Sequence, residues 1–175
     1  MAQFLNRKHL LHDSGFSLME LMIVIAIIGI LATFSINFYN KPEHKVKKAI
    51  MGLFGDMSKT RAAAVKDNSE WAVIFDLAGE QYYVCSDPGA DNDWTTLFGA
   101  NGNVIVKTVR FDQYDAGILL DSTTFGSNDI VFNPDGSCEA GNVRLTYSGV
   151  SYQVVATNNG AMRVERLVAG TGQRW

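Results

Sequence analysis

The sequence has few of the residues on which enzyme active sites depend. It contains three histidines and two cysteines in 175 residues, and two of the histidines lie within residues 1–15. No P-loop, GxSxG, HExxH or GxGxxG pattern occurs in the part of the chain that follows. A membrane-anchored enzyme would also need a cluster of titratable groups, which the sequence does not indicate. We therefore expect no catalytic residue, no metal site and no cofactor.

The sequence also has no excess of positive charge. It carries 15 lysines and arginines against 18 acidic residues, and its formal net charge is −3 at pH 7. This balance argues against nucleic-acid binding by the whole surface, so that any such role must be local. The part of the chain after the N-terminal segment, about 130 residues, has the length of one ordinary domain.

Charged residues are absent altogether from residues 21–40. A helix of 20 residues is about 30 Å long, which is the thickness of the hydrocarbon core of a bilayer. We therefore predict a transmembrane helix over residues 16–40. The mildly basic leader, residues 1–15, predicts a cytoplasmic N-terminus. The alternative is a removed secretory signal, but in such signals the small cleavage-site residue follows the apolar run, whereas Gly15 precedes this one.

Glu20 is a single carboxylate placed one turn inside this apolar segment. A charge in lipid is costly and marks a functional site by default. One explanation is that the side chain reaches back to the headgroups. The other is that cleavage after Gly15 frees an amino group on Phe16, which pairs with Glu20 of the same chain or of a neighbouring copy. We favour the second, because such a pair would help to set the register between subunits.

The next segment predicts an amphipathic helix over residues 41–67, following a kink or break at Pro42. Apolar residues recur there at spacings of three and four, and Asp56 and Lys59 fall off this stripe. From residue 68 the period changes to two, which is typical of strands. The predicted strands are Trp71–Asp76, Gln81–Cys85, Val104–Phe111, Ile118–Leu120, Ile130–Phe132, Val143–Tyr147, Tyr152–Ala156 and Met162–Leu167.

These patterns together predict an α+β fold. A long N-terminal helix, with a membrane half and an amphipathic half, packs on an antiparallel β-sheet domain that comprises residues 68–175. The tail, residues 168–175, is predicted to be a frayed end with one aromatic side chain packed back on the domain.

The segment 86–103 is rich in Asp, Asn and Gly, and we predict a solvated loop there. Asp87, Asp91 and Asp93 could supply oxygen ligands to Ca²⁺, but the EF-hand spacing with its closing glutamate is absent. Asp135 belongs to a Pro-Asp-Gly turn, which explains its identity without any chemistry.

The two cysteines, Cys85 and Cys138, are far apart in sequence and lack metal-binding spacing. If this part of the chain lies outside the cytoplasm, they could form one disulfide. Two separate buried thiols are the second possibility, and a metal pair is the least favoured.

Residues 15–32, GFSLMELMIVIAIIGILA, closely resemble the N-terminal signature of type IV prepilins and type II secretion pseudopilins. The resemblance implies cleavage after Gly15 by the prepilin peptidase, N-methylation of Phe16 and a docking role for Glu20. It also implies a single-pass protein of the inner membrane, surrounded by its lipid, with a periplasmic C-terminal domain. Its expected partners are other pilins or pseudopilins and, indirectly, the assembly platform and its motor ATPase.

A second resemblance covers the soluble part. Residues 56–66, DMSKTRAAAVK, the segment 131–137, VFNPDGS, and the hairpin around Asn159 and Gly160 are similar to those of H-type minor pseudopilins and FimT-like minor pilins. This resemblance implies a structural minor subunit, not an enzyme, which helps to initiate or cap a type IV pilus or a type II secretion pseudopilus.

The FimT-like resemblance also implies an alternative function, a minor pilin that binds DNA during DNA uptake. Arg163, Arg166 and Arg174 are the candidate DNA-binding residues. Glu165 interrupts this series, and strand alternation places Arg163 and Glu165 on one face and Arg166 on the other. DNA is therefore the less favoured partner.

Overall fold

The structure is a computed structural model that describes residues 17–39, 41–98, 102–168 and 171–174. The chain divides after Tyr39 into two compact units. The described part of the first unit is the helix α1, Leu18–Tyr39, and its flanking residue Ser17. The second unit contains everything that follows.

The second unit begins with one helix and continues as strands, which confirms the α+β class. Each predicted strand is present, with boundaries that differ by three residues or fewer. A short 3-10 turn, Phe111–Gln113, separates the third and fourth strands. The elements are α2 (Pro42–Asp67), β1 (Trp71–Asp76), β2 (Gln81–Cys85), β3 (Ile105–Arg110), β4 (Leu119–Thr123), β5 (Asp129–Phe132), β6 (Gly141–Tyr147), β7 (Val150–Ala156), β8 (Met162–Val168) and β9 (Thr171–Arg174).

Local chemistry explains both ends of α2. Pro42 occupies the first turn, where its missing N–H costs nothing and its fixed φ suits the helix. At the other end Asn68 adopts a left-handed conformation, with φ of 51°, and its backbone N–H bonds to the carbonyl oxygen of Ala64. Asn tolerates this conformation better than most residues, so the helix ends at Asp67.

The strands form two antiparallel sheets. The first sheet has the order β3-β2-β1-β5, and the second has the order β4-β6-β7-β8-β9. The chain therefore leaves the first sheet for β4, returns to it for β5 and leaves it again for β6. This exchange makes both sheets depend on each other, because neither is built from one continuous stretch of chain.

One hydrophobic core joins α2 to both sheets. Its buried members include Leu53 of α2, Val73 of β1 and Val154 of β7. Two residues of α2 depart from the predicted apolar stripe, because Asp56 is buried whereas Val65 is exposed. The carboxylate of Asp56 has partners within the domain, which are described below.

The segment that precedes β3 is not solvated along its whole length, because some of its side chains pack on the first sheet. Its aspartates are exposed, but Trp94 and Leu97 pack against a second cluster on the opposite face of the first sheet. The ring of Phe98 meets the ring of Tyr83 edge-on, with centroids 5.7 Å apart. The described part of this segment therefore covers the outer face of the sheet and keeps it from water.

The prediction of a frayed tail is wrong for residues 171–174. These residues form β9, which pairs antiparallel with β8 and places Thr171 opposite Val168. The sheet edge supplied by β8 orders this backbone through hydrogen bonds that composition does not reveal. Trp175, the aromatic residue of the prediction, lies outside the described residues.

No helix in the described part of the chain is both long enough and apolar enough to cross a membrane.

Candidate functional site

The surface of α1 is the most unusual feature of the first unit. Every side chain from Ser17 to Thr33 is exposed, and the large apolar ones are between 46% exposed, at Val24, and 80% exposed, at Leu18. Soluble proteins rarely leave such continuous apolar surface open, and a helix that is apolar on all sides is normally surrounded. A helix with such a surface therefore requires apolar surroundings.

Ser17 and Glu20 lie together at the start of α1. The Ser17 hydroxyl oxygen accepts a hydrogen bond from the Met19 backbone N–H at 3.3 Å, and the Ser17 carbonyl accepts the first helical bond from Leu21. Ser17 is thus the N-cap, and Glu20 stands three residues later, which is the spacing of a capping box. Glu20 also places a negative charge at the positive end of the helix dipole. The sequence prediction missed this local role.

The predicted processing site lies outside the described residues, which begin at Ser17. Cleavage after Gly15 and modification of Phe16 therefore stay predictions. The Glu20 side chain is exposed. Its pairing with a neighbouring subunit stays a prediction as well.

Arg61 joins three distant segments of the second unit. Its Nε donates to the carbonyl oxygen of Gly136 at 2.7 Å, and its Nη2 donates to the carbonyl oxygen of Asn159 at 3.2 Å. These contacts join α2 to the turn after β5 and to the hairpin between β7 and β8. The three segments that carried the second sequence resemblance therefore meet at one guanidinium group, which we call the Arg61 junction.

Two glycines make the Arg61 junction possible. Gly136 and Gly160 have φ of +79° and +74°, a region that disfavours residues with a side chain. A Cβ added to Gly160 would overlap the Gly136 carbonyl oxygen and the Arg61 guanidinium. Asp135 caps the same turn by accepting from the Ser137 N–H at 2.8 Å, so the interpretation of Asp135 as a turn residue is confirmed.

Asp56 is the centre of a second polar cluster. Its Oδ2 accepts from the Tyr82 hydroxyl at 2.7 Å and from the Lys107 Nζ at 2.5 Å. Burial raises the pKa of Tyr82 far above its usual range, and the hydrogen bond to Asp56 adds to this effect. The phenol therefore remains a donor at any physiological pH. Asp56 follows Leu53 by three residues and precedes Thr60 by four, a spacing that could have suggested a buried position, but its partners lie 26 and 51 residues away.

Two further ion pairs fix the first turns of α2. Glu43 forms an ion pair with Arg166, whose Nη1 lies 3.1 Å from Oε1, and it accepts a hydrogen bond from the Tyr152 hydroxyl at 3.3 Å. Lys45 donates to Asp115 at 2.7 Å, and this hydrogen bond is the main reason that the pKa of Asp115 is lowered and the pKa of Lys45 is raised. The start of α2 is therefore attached both to the second sheet and to the segment before β4.

The two candidate DNA-binding arginines whose side chains the structure describes, Arg163 and Arg166, do not form one open basic surface. Arg163 contacts Glu165 at 2.7 Å, and Arg166 contacts Glu43 at 3.1 Å, from opposite faces of β8. The backbone of Arg174 lies opposite Glu165 in the register of β8 and β9. Because both described guanidinium groups already have carboxylate partners, phosphate binding would have to displace them.

The structure contains two free thiols in place of the favoured disulfide. Cys85 is buried on the outer face of the first sheet, in the cluster with Ala72 and Tyr83, whereas Cys138 belongs to the main core. Strand alternation separates the two sulfur atoms, because the sheet itself lies between them. Burial raises the pKa of Cys85 to about 11 and also raises that of Cys138, which disfavours the thiolates that disulfide chemistry requires. The second sequence alternative, separate buried thiols, describes the structure.

The aspartates of the segment before β3 cap their own turns. Asp87 accepts from the Gly89 N–H at 2.7 Å, and Asp93 accepts from the Thr95 N–H at 2.9 Å. Within the described residues no group of three acidic, His or Cys side chains could hold a metal ion. These turns account for the Asp-rich composition without a ligand.

Two sequence families match this chain. The family described as type II transport protein GspH matches residues 49–160, which is more than half of the chain. The prokaryotic N-terminal methylation motif matches residues 11–36. The fimbrial protein EcpB of Eikenella corrodens is 47% identical over 51 residues. That match covers 29% of this chain and 31% of EcpB. The chain thus spans about a third of the length of this curated relative.

The fold is similar to two solved structures. One is the minor pseudopilin EpsH from the type 2 secretion system of Vibrio cholerae, with a TM-score of 0.52 and 16% identity over 73% of this chain and 99% of that one. The other is the type IV minor pilin FimU of Pseudomonas aeruginosa, with a TM-score of 0.53 and 11% identity over 75% of this chain and 94% of that one. At these identities the likeness establishes the fold alone.

Proposed function

Because this chain belongs to the GspH family of type II transport proteins and carries the N-terminal methylation motif, we propose that it is a minor subunit that initiates or caps its filament. Its family makes it a structural subunit of a pilus or pseudopilus, which assembles with other pilins or pseudopilins. Such subunits are anchored in a membrane and are not enzymes.

The observation that carries this proposal is the contrast between the two units. The described side chains of α1 have no cover, whereas α2 and the two sheets bury their own core. Lipid before assembly and neighbouring helices after assembly would each supply the apolar environment that α1 needs. A subunit whose helix α1 moves from lipid into a filament requires a domain that stays folded before and after that move.

The finer proposal concerns processing and topology. We infer cleavage after Gly15 by the prepilin peptidase, N-methylation of Phe16 and insertion of residues 16–40 in the inner membrane. The C-terminal domain would then be periplasmic, and the assembly platform with its motor ATPase would extract the subunit. The N-terminal motif supports this sequence of events, since it spans residues 11–36 and so includes both Gly15 and Phe16.

A Gly15→Ala variant tests the processing step. We expect the full-length chain to persist, because the peptidase would no longer find its small residue, and intact-mass measurement of the purified protein would detect the retained leader. Ser17→Ala serves as the control, since it changes the adjacent helix cap and leaves Gly15 in place. Normal removal of the leader from the Gly15→Ala chain would contradict the proposed cleavage site.

A Glu20→Gln variant tests the assembly role. The amide keeps the length of the side chain and its capacity to cap the helix, but it removes the charge. We therefore expect normal processing and reduced co-purification with other filament subunits. Ser17→Ala again provides the matched control, because it weakens the cap and keeps the charge. If Ser17→Ala impairs assembly and Glu20→Gln does not, Glu20 acts as a capping residue and the pairing hypothesis is wrong.

A further inference from the structure

A narrow cleft lies between α2 and the strand β3. Its walls are the side chains of Ala63 on α2 and of Val106 on β3, and Trp71 and Val84 contribute to its lining. Asp56, with its Lys107 partner, also lines this cleft. The volume is about 210 Å³. Sites for small molecules usually have about 300–1,000 Å³, so this cleft has room for a protein side chain and not for an ordinary cofactor or metabolite.

The strand beside this cleft is an edge strand. β3 pairs with β2 on one side only, and no described strand pairs with its other side. The register shifts next to the cleft, since Cys85 pairs with Ile105 and Val84 pairs with Lys107. Val106 is therefore the extra residue of a bulge, and its side chain is 57% exposed. Bulges commonly re-aim a side chain at a binding site.

The mouth of the cleft is positively charged. Lys59 is 83% exposed and Lys107 is 50% exposed, and the cleft contains one carboxylate, that of Asp56, for these two cations. The Lys59 Nζ is 4.0 Å from Asp56, and the shorter contact belongs to Lys107. An apolar cleft with a surplus cation at its mouth favours an occupant that has one apolar side chain beside a carboxylate.

We propose that the cleft and the free edge of β3 bind an extended, acidic segment of a different pilin-type subunit. The segment adds to the edge of β3 by backbone hydrogen bonds, places an apolar side chain against Val106 and Trp71, and pairs a carboxylate with Lys59. This inference rests on the proposed function, which supplies the neighbouring subunits. It adds a specific contact by the globular domain to the contacts expected of α1.

Site-specific cross-linking of the full chain tests the proposal. A Val106→Cys variant, expressed in cells that contain the other filament subunits, is labelled with a maleimide photo-cross-linker. The native cysteines are buried, so the unsubstituted chain is the control for labelling. Leu119→Cys is the matched control, because Leu119 is an exposed apolar residue on β4, an edge strand of the second sheet.

We expect Val106→Cys to form an adduct with another pilin-type subunit, at a peptide that contains Asp or Glu, as identified by mass spectrometry. The yield should exceed that of Leu119→Cys. Adding Lys59→Glu should lower this yield up to about fivefold, since an exposed ion pair is worth up to about 1 kcal/mol. Lys47→Glu, at an exposed lysine of α2 that does not line the cleft, should leave the yield unchanged.

Three outcomes would overturn the proposal. The first is an equal cross-linking yield from Val106→Cys and Leu119→Cys. The second is an adduct between two copies of this chain. The third is a cross-linking yield that Lys59→Glu does not change although the variant folds normally. Co-purification of the unlabelled chain with other subunits keeps the two proposals apart. If co-purification succeeds and the adduct is absent, only the cleft proposal fails. If the unsubstituted chain does not co-purify, the proposed function fails and the cleft proposal fails with it.

Discussion

The helix α1 and the domain that follows it use apolar residues in opposite ways. In α1 the described apolar side chains all face outward, whereas the domain buries Leu53, Val73 and Val154 in one core. Each region also has a distinctive acidic residue. Glu20 lies exposed at the start of α1, and Asp56 is enclosed between Tyr82 and Lys107.

This difference assigns folding stability to the domain and assembly to α1. The domain gains its stability from contacts within one chain, so substitutions there should lower the free energy of unfolding. The contacts that α1 needs must come from other molecules, so substitutions there should leave unfolding unchanged and impair assembly. The following predictions test that division, with urea unfolding of the detergent-solubilised full chain followed by tryptophan fluorescence.

The largest effect is expected from truncation in the core. Leu53→Ala should lower the free energy of unfolding by about 3–5 kcal/mol, because it removes buried apolar contacts and leaves a cavity. Ile25→Ala is the matched change in α1, where the side chain is 59% exposed. It should alter unfolding by less than about 0.5 kcal/mol and reduce co-purification with other subunits. Similar unfolding losses from both variants would show that the two regions are not independent.

The Arg61 junction should be sensitive to the loss of one glycine. Gly160→Ala should destabilise the domain by about 3 kcal/mol, because the new Cβ would overlap the Gly136 carbonyl and the Arg61 side chain. Gly149→Ala is the control, since Gly149 also has a positive φ of +79° but has open space around it. That change should cost only about 1 kcal/mol, the strain of the left-handed conformation. Equal losses would mean that Arg61 moves aside without penalty.

The two acidic residues should respond differently to neutralisation. Asp56→Ala leaves the buried Tyr82 hydroxyl without its acceptor, and we expect a loss of about 2 kcal/mol in unfolding free energy. Asp67→Ala, at an exposed residue of the same helix, should change it by less than about 0.5 kcal/mol. Glu20→Ala should have no effect on unfolding at all. A clear loss of stability with Glu20→Ala would assign Glu20 to folding instead of assembly.

The smallest effect is a pH dependence of the Lys45–Asp115 pair. The hydrogen bond from Lys45 lowers the pKa of Asp115 below 3.8, so the stability from this pair is fully present above pH 3.8 and is lost as the pH falls through the lowered pKa. The pKa of Lys45 is raised above 10.5, so at the alkaline end the contribution is lost as the pH rises above that value. Asp115→Asn should flatten the acid part of a stability-against-pH profile. An unchanged acid limb would show that the pair does not contribute to stability.

Much of the fold could be predicted because local patterns are strong in this chain. Pro42 and Asn68 mark the two ends of α2, and the period-two segments give the strands of both sheets. The strand β9 was missed, since its short polar sequence with one glycine has no strand signal until β8 provides its partner. The burial of Asp56 was missed for a similar reason. The donors to its carboxylate, Tyr82 and Lys107, come from strands far along the chain.

The features of the candidate site also fall into two groups, those that the sequence predicts and those that depend on packing. The signature over residues 15–32 could be recognised in the sequence because its features, a small residue before an apolar run and one carboxylate within it, are local. The disulfide prediction was wrong, since sequence separation says nothing about which face of a sheet each cysteine occupies. The arginines of β8 were correctly assigned to opposite faces, and Glu165 was expected on the face of Arg163. The ion pair between these two residues and the pairing of Arg166 with Glu43 emerged only from the packing.

The sequence alone determined that this chain has an apolar helix whose one carboxylate, Glu20, lies near its start. It also determined the amphipathic helix and the β-rich domain that follow. Those features depend on periodicity and on short motifs, in which neighbouring residues act on each other. Tertiary structure decided the exchange of strands between two sheets, the Arg61 junction, the separation of the thiols and the cleft beside β3. Each of these depends on contacts between residues far apart in the chain, whose energies a linear pattern does not encode.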